Sequence, residues 1–488
     1  MAIPAETFFL DPDSDQTLQQ QIQQQVAEAI LTGRFQPGER MPSSRRLARH
    51  LGVARITVTI AYTELVANDY LASRGRSGYF VSDNAPRPPN FAPQAAPTES
   101  RVDWSRALGQ RFSHRATLTR PPNWRDFRFP FIYGQADARL FDHQNWRLCA
   151  LQALGQKDFE ALTSDYYERD DPRLIEFILR HILPRRGISA RPEEILITMG
   201  AQNALWTTAQ ILLTQRRTAV IENPCYHGLR DILSQARCIT HPVDVDEGGL
   251  PPDAIPGGAD VVFTTASHHC PTNATMPLER RKALLERAAR DGFLIVEDDY
   301  EFEIPFLRSP SPALKSLDGE GAVIYTGSFS KSLFPGLRLG YLVASEPFIR
   351  EARALRSLVM RHPPGHIQRT AAYFLSLGHY DAQVARMGRA YRRRRATMDE
   401  AIRENGLKVS GRGTFGGSSY WMQAPDGIDT TQLAQQLREQ SVLIEPGRAF
   451  FGADQNITSH YRLAYSSIAT ARIPDGIARI AQAIREST

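Results

Sequence analysis

From about residue 125 onward, short apolar runs alternate with longer stretches of helical period. The runs are "EILIT", "TAVIEN", "ADVVFTT", "FLIVEDD", "AVIYTGS" and "LGYLVAS". Rich in β-branched residues and nearly continuous in apolar side chains, they predict strands buried on both faces of a mostly parallel sheet. "AQNALWTTAQILLTQ" and "LERRKALLERAARDG" predict helices between them, so the pattern is that of a doubly wound α/β domain with helices on both faces. The first 84 residues read differently. In "LQQQIQQQVAEAILTG", Leu18, Ile22, Val26, Ile30 and Leu31 recur at helical spacing and Gly33 ends the run. "PGERMPSSRRLARHLGV" predicts a second helix, capped by Ser43 or Ser44 and stopped at Gly52. "ARITVTIAYTELVANDY" predicts a third, with Ile56, Ile60 and Leu65 facing inward, and "YLASRGRSGYFVSD" predicts two short strands about a glycine turn. Three helices and a hairpin make a winged helix-turn-helix. Between the two patterns, "SDNAPRPPNFAPQAAPTES" has no apolar period and is rich in Pro, Ala and Asn. It predicts an extended linker over residues 85–125, joining a domain at 1–84 to one at 126–488.

Composition narrows the class. At 488 residues, 42% hydrophobic and 23% charged, the chain has the make-up of a soluble globular protein of two or three domains. No run approaches the roughly 18 apolar residues of a membrane helix. The start, "MAIPAETFFLDPDSDQ", has no basic region followed by an apolar one. Cys149, Cys225, Cys238 and Cys270 form no CxxC pair, as in a reducing compartment. A cytoplasmic protein with no membrane partner is therefore expected.

The net charge of +5 says little, but its placement says more. Between Arg34 and Arg76 lie eight arginines and three acids, Glu39, Glu64 and Asp69. Arg45 and Arg46 fall on the second helix, Arg55 opens the third, and Arg74 and Arg76 sit in the wing, where the phosphates of a duplex would lie. Thr57 and Thr59 are short hydroxyl donors on the part of the third helix that would enter a major groove. Double-stranded operator DNA is the expected partner. The stretch "PSSRRLARHLGVARITVTIAYTEL" resembles the GntR family of bacterial regulators. The resemblance implies that Arg45, Arg55 and Thr57 contact DNA. In "SRGRSGYFV" Arg76 stands where that family usually has glycine.

In doubly wound sheets, ligands sit at the carboxyl ends of the strands, and here the distinctive residues collect there. "TMGAQNALW" ends a strand and opens a helix, so the amides of Gly200, Ala201 and Gln202 would form an anion site. "FLIVEDDYEFE" ends a strand in two carboxylates and a tyrosine, which are costly to bury without a cation or a protonated nitrogen. "IYTGSFSKSL" ends a third in two serines and Lys331, one of only five lysines, with Arg338 seven residues on. An imine-forming lysine, an acid for a pyridine nitrogen and groups for a phosphate are what pyridoxal 5'-phosphate requires.

"TGSFSKSLFPGLRLGYL" is similar to the lysine signature of fold-type I aminotransferases. The resemblance implies a large domain of that fold with a smaller C-terminal subdomain. It gives Lys331 the internal aldimine, Asp298 the pyridine nitrogen, Tyr300 the ring hydroxyl and Tyr226 the ring face. It gives the phosphate to Ser328, Ser330, Arg338 and the amides of Ala201 and Gln202. Arg462, in "YRLAYSS", would take the ligand's carboxylate, a bidentate task suited to guanidinium. A GntR-type head joined to such a domain is the architecture of the MocR/GabR subfamily. That resemblance implies a head-to-tail homodimer, two half-sites on DNA, and an amino-compound effector that displaces Lys331 to form an external aldimine.

Working aminotransferases usually have "NPTG" in the loop where this chain reads "ASHHCPTNATMP", with Cys270 at the Asn position, Asn273 at the glycine and His269 where relatives have Gln. Loss of the Asn removes a donor to the cofactor and implies a site kept for sensing, with no catalytic residue expected; an aminotransferase carrying a DNA-binding head is the alternative. The loop is most like those of the taurine and ectoine branches, so taurine or an ectoine-derived diamino acid is the expected effector. A zinc site at His268, His269 and Cys270 is not expected, because adjacent side chains diverge. In "YYERDDPRLIEF" either Asp170 or Asp171 should cap a helix. The run Arg392–Arg395 is expected to be a solvated face with some ion pairing.

Overall fold

Thr17 starts the first helix, Leu18–Leu31, with a capping box, exchanging hydrogen bonds with Gln20. The second helix, Ser44–Leu51, begins under the Ser43 hydroxyl and ends at Gly52, in the left-handed region at φ 69°. The third spans Arg55–Ala67. The wing follows as β1 (Leu71–Ser73) and β2 (Tyr79–Val81), antiparallel about a 3-10 turn at Gly75–Ser77.

These details come from a computed structural model that describes residues 2–86, 102–113, 120–165, 167–307, 311–414, 416–452, 455 and 457–487. Its two units are Met1–Gln110 and Arg111–Thr488. Most of the Pro/Ala-rich stretch expected as a linker, residues 87–101, lies outside the described residues. Among the described residues no helix is long and apolar enough to cross a membrane.

Four expected core positions of the first unit are corrected. Leu18, Leu31, Ile56 and Ile60 are exposed. The third helix buries Val58, Ala61, Tyr62 and Leu65, a stripe at i, i+3, i+4 and i+7. Ile56 and Ile60 each lie two positions from Val58 and so point the other way. In the first helix Gln21, Ile22, Val26, Ala29 and Ile30 form the buried stripe, and Leu31 falls on the side opposite its centre.

In the second unit, after β3 (Phe129–Pro130), the sheet strands are β4 (Ile195–Thr198), β5 (Thr218–Asn223), β6 (Ile239–Asp244), β7 (Val261–Thr264), β8 (Leu294–Asp299), β9 (Val323–Ser328) and β10 (Gly340–Val343). They form one seven-stranded sheet in the order β4-β10-β9-β8-β7-β5-β6, with β10 antiparallel to both neighbours and the other pairings parallel. Every residue of β4, β7, β9 and β10 is buried. The edge strand β6 escaped the apolar pattern because five of its six residues are exposed, and it carries Pro242, as an edge tolerates. The smaller C-terminal sheet takes β11 (Lys408–Arg412), β12 (Ser419–Gln423), β14 (Glu445–Pro446) and β15 (His460–Ala464) in the order β11-β12-β15-β14, while β13 (Val442–Leu443) pairs with β3.

Asp171, not Asp170, caps the helix Pro172–Phe177, accepting from the amides of Arg173 and Leu174. Asp170 instead binds Arg353 and Arg356. The arginine run lies in the helix His379–Glu404 and corrects the expectation of a solvated face. Arg394 and Arg395 are buried: the first binds Asp137 and the carbonyls of Tyr465 and Ser466, the second stacks 4.2 Å from the Tyr420 ring centroid. Only Arg392 and Arg393 face solvent, because four consecutive positions go round a helix.

Candidate functional site

The carboxyl ends of β8 and β9 lie side by side, with Asp298 opposite Thr326. Asp298 therefore shares an edge of the sheet with Ser328 and with Lys331, which follows β9. The Oδ1 atom of Asp298 is buried, with no hydrogen-bond partner among the described residues. Burial, reinforced by the Asp299 and Glu222 carboxylates, pushes the Asp298 pKa up to about 7. A carboxyl in that position lacks a cationic hydrogen-bond donor.

Lys331 Nζ stands 4.0 Å from the ring centroid of Tyr133. Burial lowers its pKa to about 8, against the pull of Glu301 and with help from Arg120 and Arg462. A good part of the amine is thus neutral near pH 8, as a nucleophile must be. Gly134, at φ 71°, makes room: a Cβ there would fall 2.2 Å from Nζ. Glu301 accepts from two hydroxyls, Tyr133 (2.8 Å) and Ser418 (2.6 Å), and its Oε2 lies 3.1 Å from Nε2 of the buried His268 ring. Burial works against its charge, but the neighbouring His268 ring and the Ser418 hydroxyl outweigh it and keep the pKa low.

At the end of β4, Gly200 (φ 84°) turns the chain into the helix Ala201–Leu212, so the amides of Ala201 and Gln202 open a helix N-terminus. Arg338 Nη2 is 3.6 Å from where a Gly200 Cβ would sit. Ser328 Oγ accepts from the Ser330 amide at 3.2 Å. A helix start, an arginine and two serines form a cradle for an anion. Tyr226 leans over this edge, its hydroxyl 3.4 Å from Gln202 Oε1. Tyr300 is half-buried and packs edge-on to Tyr133 (6.4 Å) and His268 (6.0 Å). All nine residues expected to hold the cofactor thus lie along one edge of the sheet, on or next to its strand ends.

Arg462 comes from β15 in the small subdomain. It is buried, with its guanidinium 4.1 Å from the Tyr133 centroid and 4.8 Å from that of Phe450. It is already engaged: Nε donates to Glu445 Oε2 at 2.8 Å, and Nη1 lies 3.9 Å from Cys270 Sγ. Glu445 also accepts from Arg120 Nη2 at 3.1 Å. Sequence reasoning missed Arg120, read as linker, and Glu445, in "LIEPGRAF", which carries no motif. It missed Tyr133 and Gly134 too, for which the dipeptide "YG" was the only signal.

The variant loop keeps its shape by other means. Asn273, where the family pattern has glycine, sits at φ 63°, a region Asn tolerates. Its Nδ2 donates to Ser419 O at 3.1 Å, tying the loop to the small sheet. His269 Nδ1 pairs with Thr272 Oγ1 at 2.7 Å. Burial pushes the Cys270 thiol up to about 11, against the pull of Arg462, so Cys270 is protonated and a poor nucleophile. Among the described residues no group of three or more His, Cys, Asp or Glu could hold a metal ion.

In the first unit, Arg45, Arg46, Arg55, Arg74 and Arg76 are all exposed, and Thr57 and Thr59 are half-buried. Arg55 Nε donates to Ser44 Oγ at 3.3 Å, which links the third helix to the start of the second. Thr59 Oγ1 donates to the Arg55 carbonyl at 3.0 Å. Arg46 and Arg74 make exposed ion pairs with Glu6 and Asp83, and Arg74 also lies 4.8 Å from the Phe80 ring centroid.

A winged helix-turn-helix and an aminotransferase-type sheet bearing a lysine at its strand ends define a regulator built on an enzyme fold, and known proteins bear this out. Residues 18–81 match the family described as "Bacterial regulatory proteins, gntR family", and residues 140–480 match "Aminotransferase class I and II". The HTH-type transcriptional regulator TauR of Rhodobacter capsulatus is 60% identical over 99% of this chain and 100% of its own. The probable rhizopine catabolism regulatory protein MocR of Rhizobium meliloti is 31% identical over 79% of this chain and 77% of its own. Among solved structures, LysN, the alpha-aminoadipate aminotransferase of Thermus thermophilus, is 26% identical, with a TM-score of 0.70 over 79% of this chain and 99% of its own. The chain belongs to the class I and II aminotransferase family in its MocR-type form, a GntR-headed, DNA-binding transcription regulator.

Proposed function

We propose that this regulator binds pyridoxal phosphate at Lys331 and senses a small amine with a monoanionic end, taurine first among them. The carrying observation is that Lys331 Nζ and the Arg462 guanidinium stand 4.0 and 4.1 Å from one ring centroid, so they are at most about 8 Å apart. An amine held at one and an anion at the other must have a short spacer. The loop around Cys270 and the full-length identity to TauR favour taurine.

The residues fit the cofactor. Asp298, whose Oδ1 lacks a partner, would pair with the pyridine nitrogen; Ser328, Ser330, Arg338 and the amides of Ala201 and Gln202 would hold the phosphate; Tyr226 would cover the ring and Tyr300 its hydroxyl. Pyridoxal phosphate supplies an aldehyde that condenses with amines. Lys331, kept partly neutral by burial, provides the resident amine that an effector displaces. Arg462 orients the effector's anion, and Cys270 offers no strong donor. Arg45, Arg46, Arg55, Thr57, Thr59, Arg74 and Arg76 would grip the operator, and two heads of a head-to-tail homodimer would read two half-sites. Effector and DNA are coupled only to the extent that two arrangements of the dimer bind the effector differently.

The test is the visible spectrum of the purified protein titrated with taurine, GABA, diaminobutyrate and D-alanine. A stable shift with one of them identifies the effector. Conversion to a pyridoxamine-like spectrum, reversed by a keto acid over many turnovers, means an aminotransferase and overturns the sensing role.

A further inference from the structure

The anion end of the pocket holds three charges where the ligand role needs one. Glu445 and Arg462 are direct cross-strand neighbours on β14 and β15. Glu445 Oε2 takes Arg462 Nε, and its Oε1 takes Arg120 Nε and Nη2 at 3.3 and 3.1 Å. Arg462 and Glu445 are buried, while Arg120 is about one-third exposed. Glu445 is firmly ionised: burial opposes its charge, but the two guanidinium groups outweigh burial. The other titratable ring close by, His227, is held neutral, by burial first and then by Arg462. Two cations and one carboxylate leave this end with a single net positive charge.

We propose that Glu445 is a specificity-determining residue: by cancelling one of two arginines it sets the pocket to accept a singly charged anion, a carboxylate or sulfonate, and to reject a doubly charged one such as a phosphonate. The inference rests on the amine-sensing role of the pocket. The mechanism is electrostatic. In a buried site each unmatched unit charge is expensive, so a monoanion completes a neutral set and a dianion leaves an excess negative charge. Glu445 acts through Arg462 and Arg120 and need not touch the ligand. Arg120 supplies the second cation from a part of the chain that looks like linker, and no pattern around "LTRPPNW" announces it.

Taurine and 2-aminoethylphosphonate test this, since they share an aminoethyl arm and differ at the anion, the phosphonate being a dianion at about pH 8. Each is titrated into the pyridoxal phosphate-loaded, full-length protein, and affinity is read from the visible spectrum and by calorimetry. The wild type should favour taurine. Glu445→Gln should shift the ratio of the two affinities toward the phosphonate by about 10- to 100-fold. The double variant Arg120→Gln/Glu445→Gln restores the single net positive charge and should restore the preference for taurine, and it removes the buried charge imbalance if the single variant does not fold. An unchanged ratio in Glu445→Gln, or a double variant that favours the phosphonate, overturns the proposal. A wild type that responds to neither compound nor to any other amine with an anionic end overturns the sensing role, and this proposal with it.

Discussion

The two units use arginine in opposite ways. All eight arginines between Arg34 and Arg76 are exposed. In the second unit Arg186, Arg281, Arg356 and Arg462 are buried, each donating to at least one carboxylate or carbonyl. A guanidinium that meets DNA phosphates stays solvated beforehand, because it can then exchange water for phosphate while the duplex releases its counterions. A guanidinium that builds a fold must be matched on the spot, since an unmatched buried charge costs several kcal/mol. Arg462 stands between the two cases. It is buried and paired like a structural arginine, yet the two cations around Glu445 exceed it by one, and that surplus is what a ligand can claim.

The comparison can be broken in several places. Lys331→Ala should abolish the imine absorbance and all response to effector while operator binding in a mobility-shift assay persists; a response that survives would remove Lys331 from the site. Arg186→Met takes from the buried Asp299 its paired guanidinium while the Tyr325 hydroxyl stays, and should destabilise the second unit by about 3–5 kcal/mol in a denaturant titration. Arg55→Ala should weaken operator binding by about 1–3 kcal/mol if it reads a base, with a stability change below about 0.5 kcal/mol. An equal loss on random DNA would make it a phosphate contact. Raising salt from 50 to 200 mM should weaken DNA binding at least tenfold and leave the effector's affinity nearly unchanged, because Arg462 is shielded from solvent. Last and smallest, the rate at which the cofactor-free protein regains its imine band should climb as pH rises through about 8. Burial puts the Lys331 pKa there, and only the neutral amine adds to an aldehyde.

Local chemistry was legible along the chain. Short, nearly continuous apolar runs bounded by turn residues became the buried strands, Ser43 marks a helix start through its side-chain cap, and Gly52 and Gly33 mark helix ends through their positive φ. Hence the winged helix-turn-helix, the mostly parallel sheet, and Asp298, Ser328 and Lys331 at its strand ends could be read directly, since a motif on a strand end travels with the strand. Three kinds of fact could not be. Which face of a helix is inside depends on what packs against it, so Ile56 and Ile60 pointed outward and Arg394 and Arg395 inward. An edge strand such as β6 has one covered side and no continuous apolar run to betray it. Charge matching across distant segments is invisible in any window: Arg120 and Glu445 lie 325 residues apart, and they meet only because the segment before β3 returns to the small subdomain. Pattern and propensity act over a few residues, whereas the electrostatics of a buried pocket is settled by whichever side chains the folded chain brings within a few ångströms of one another.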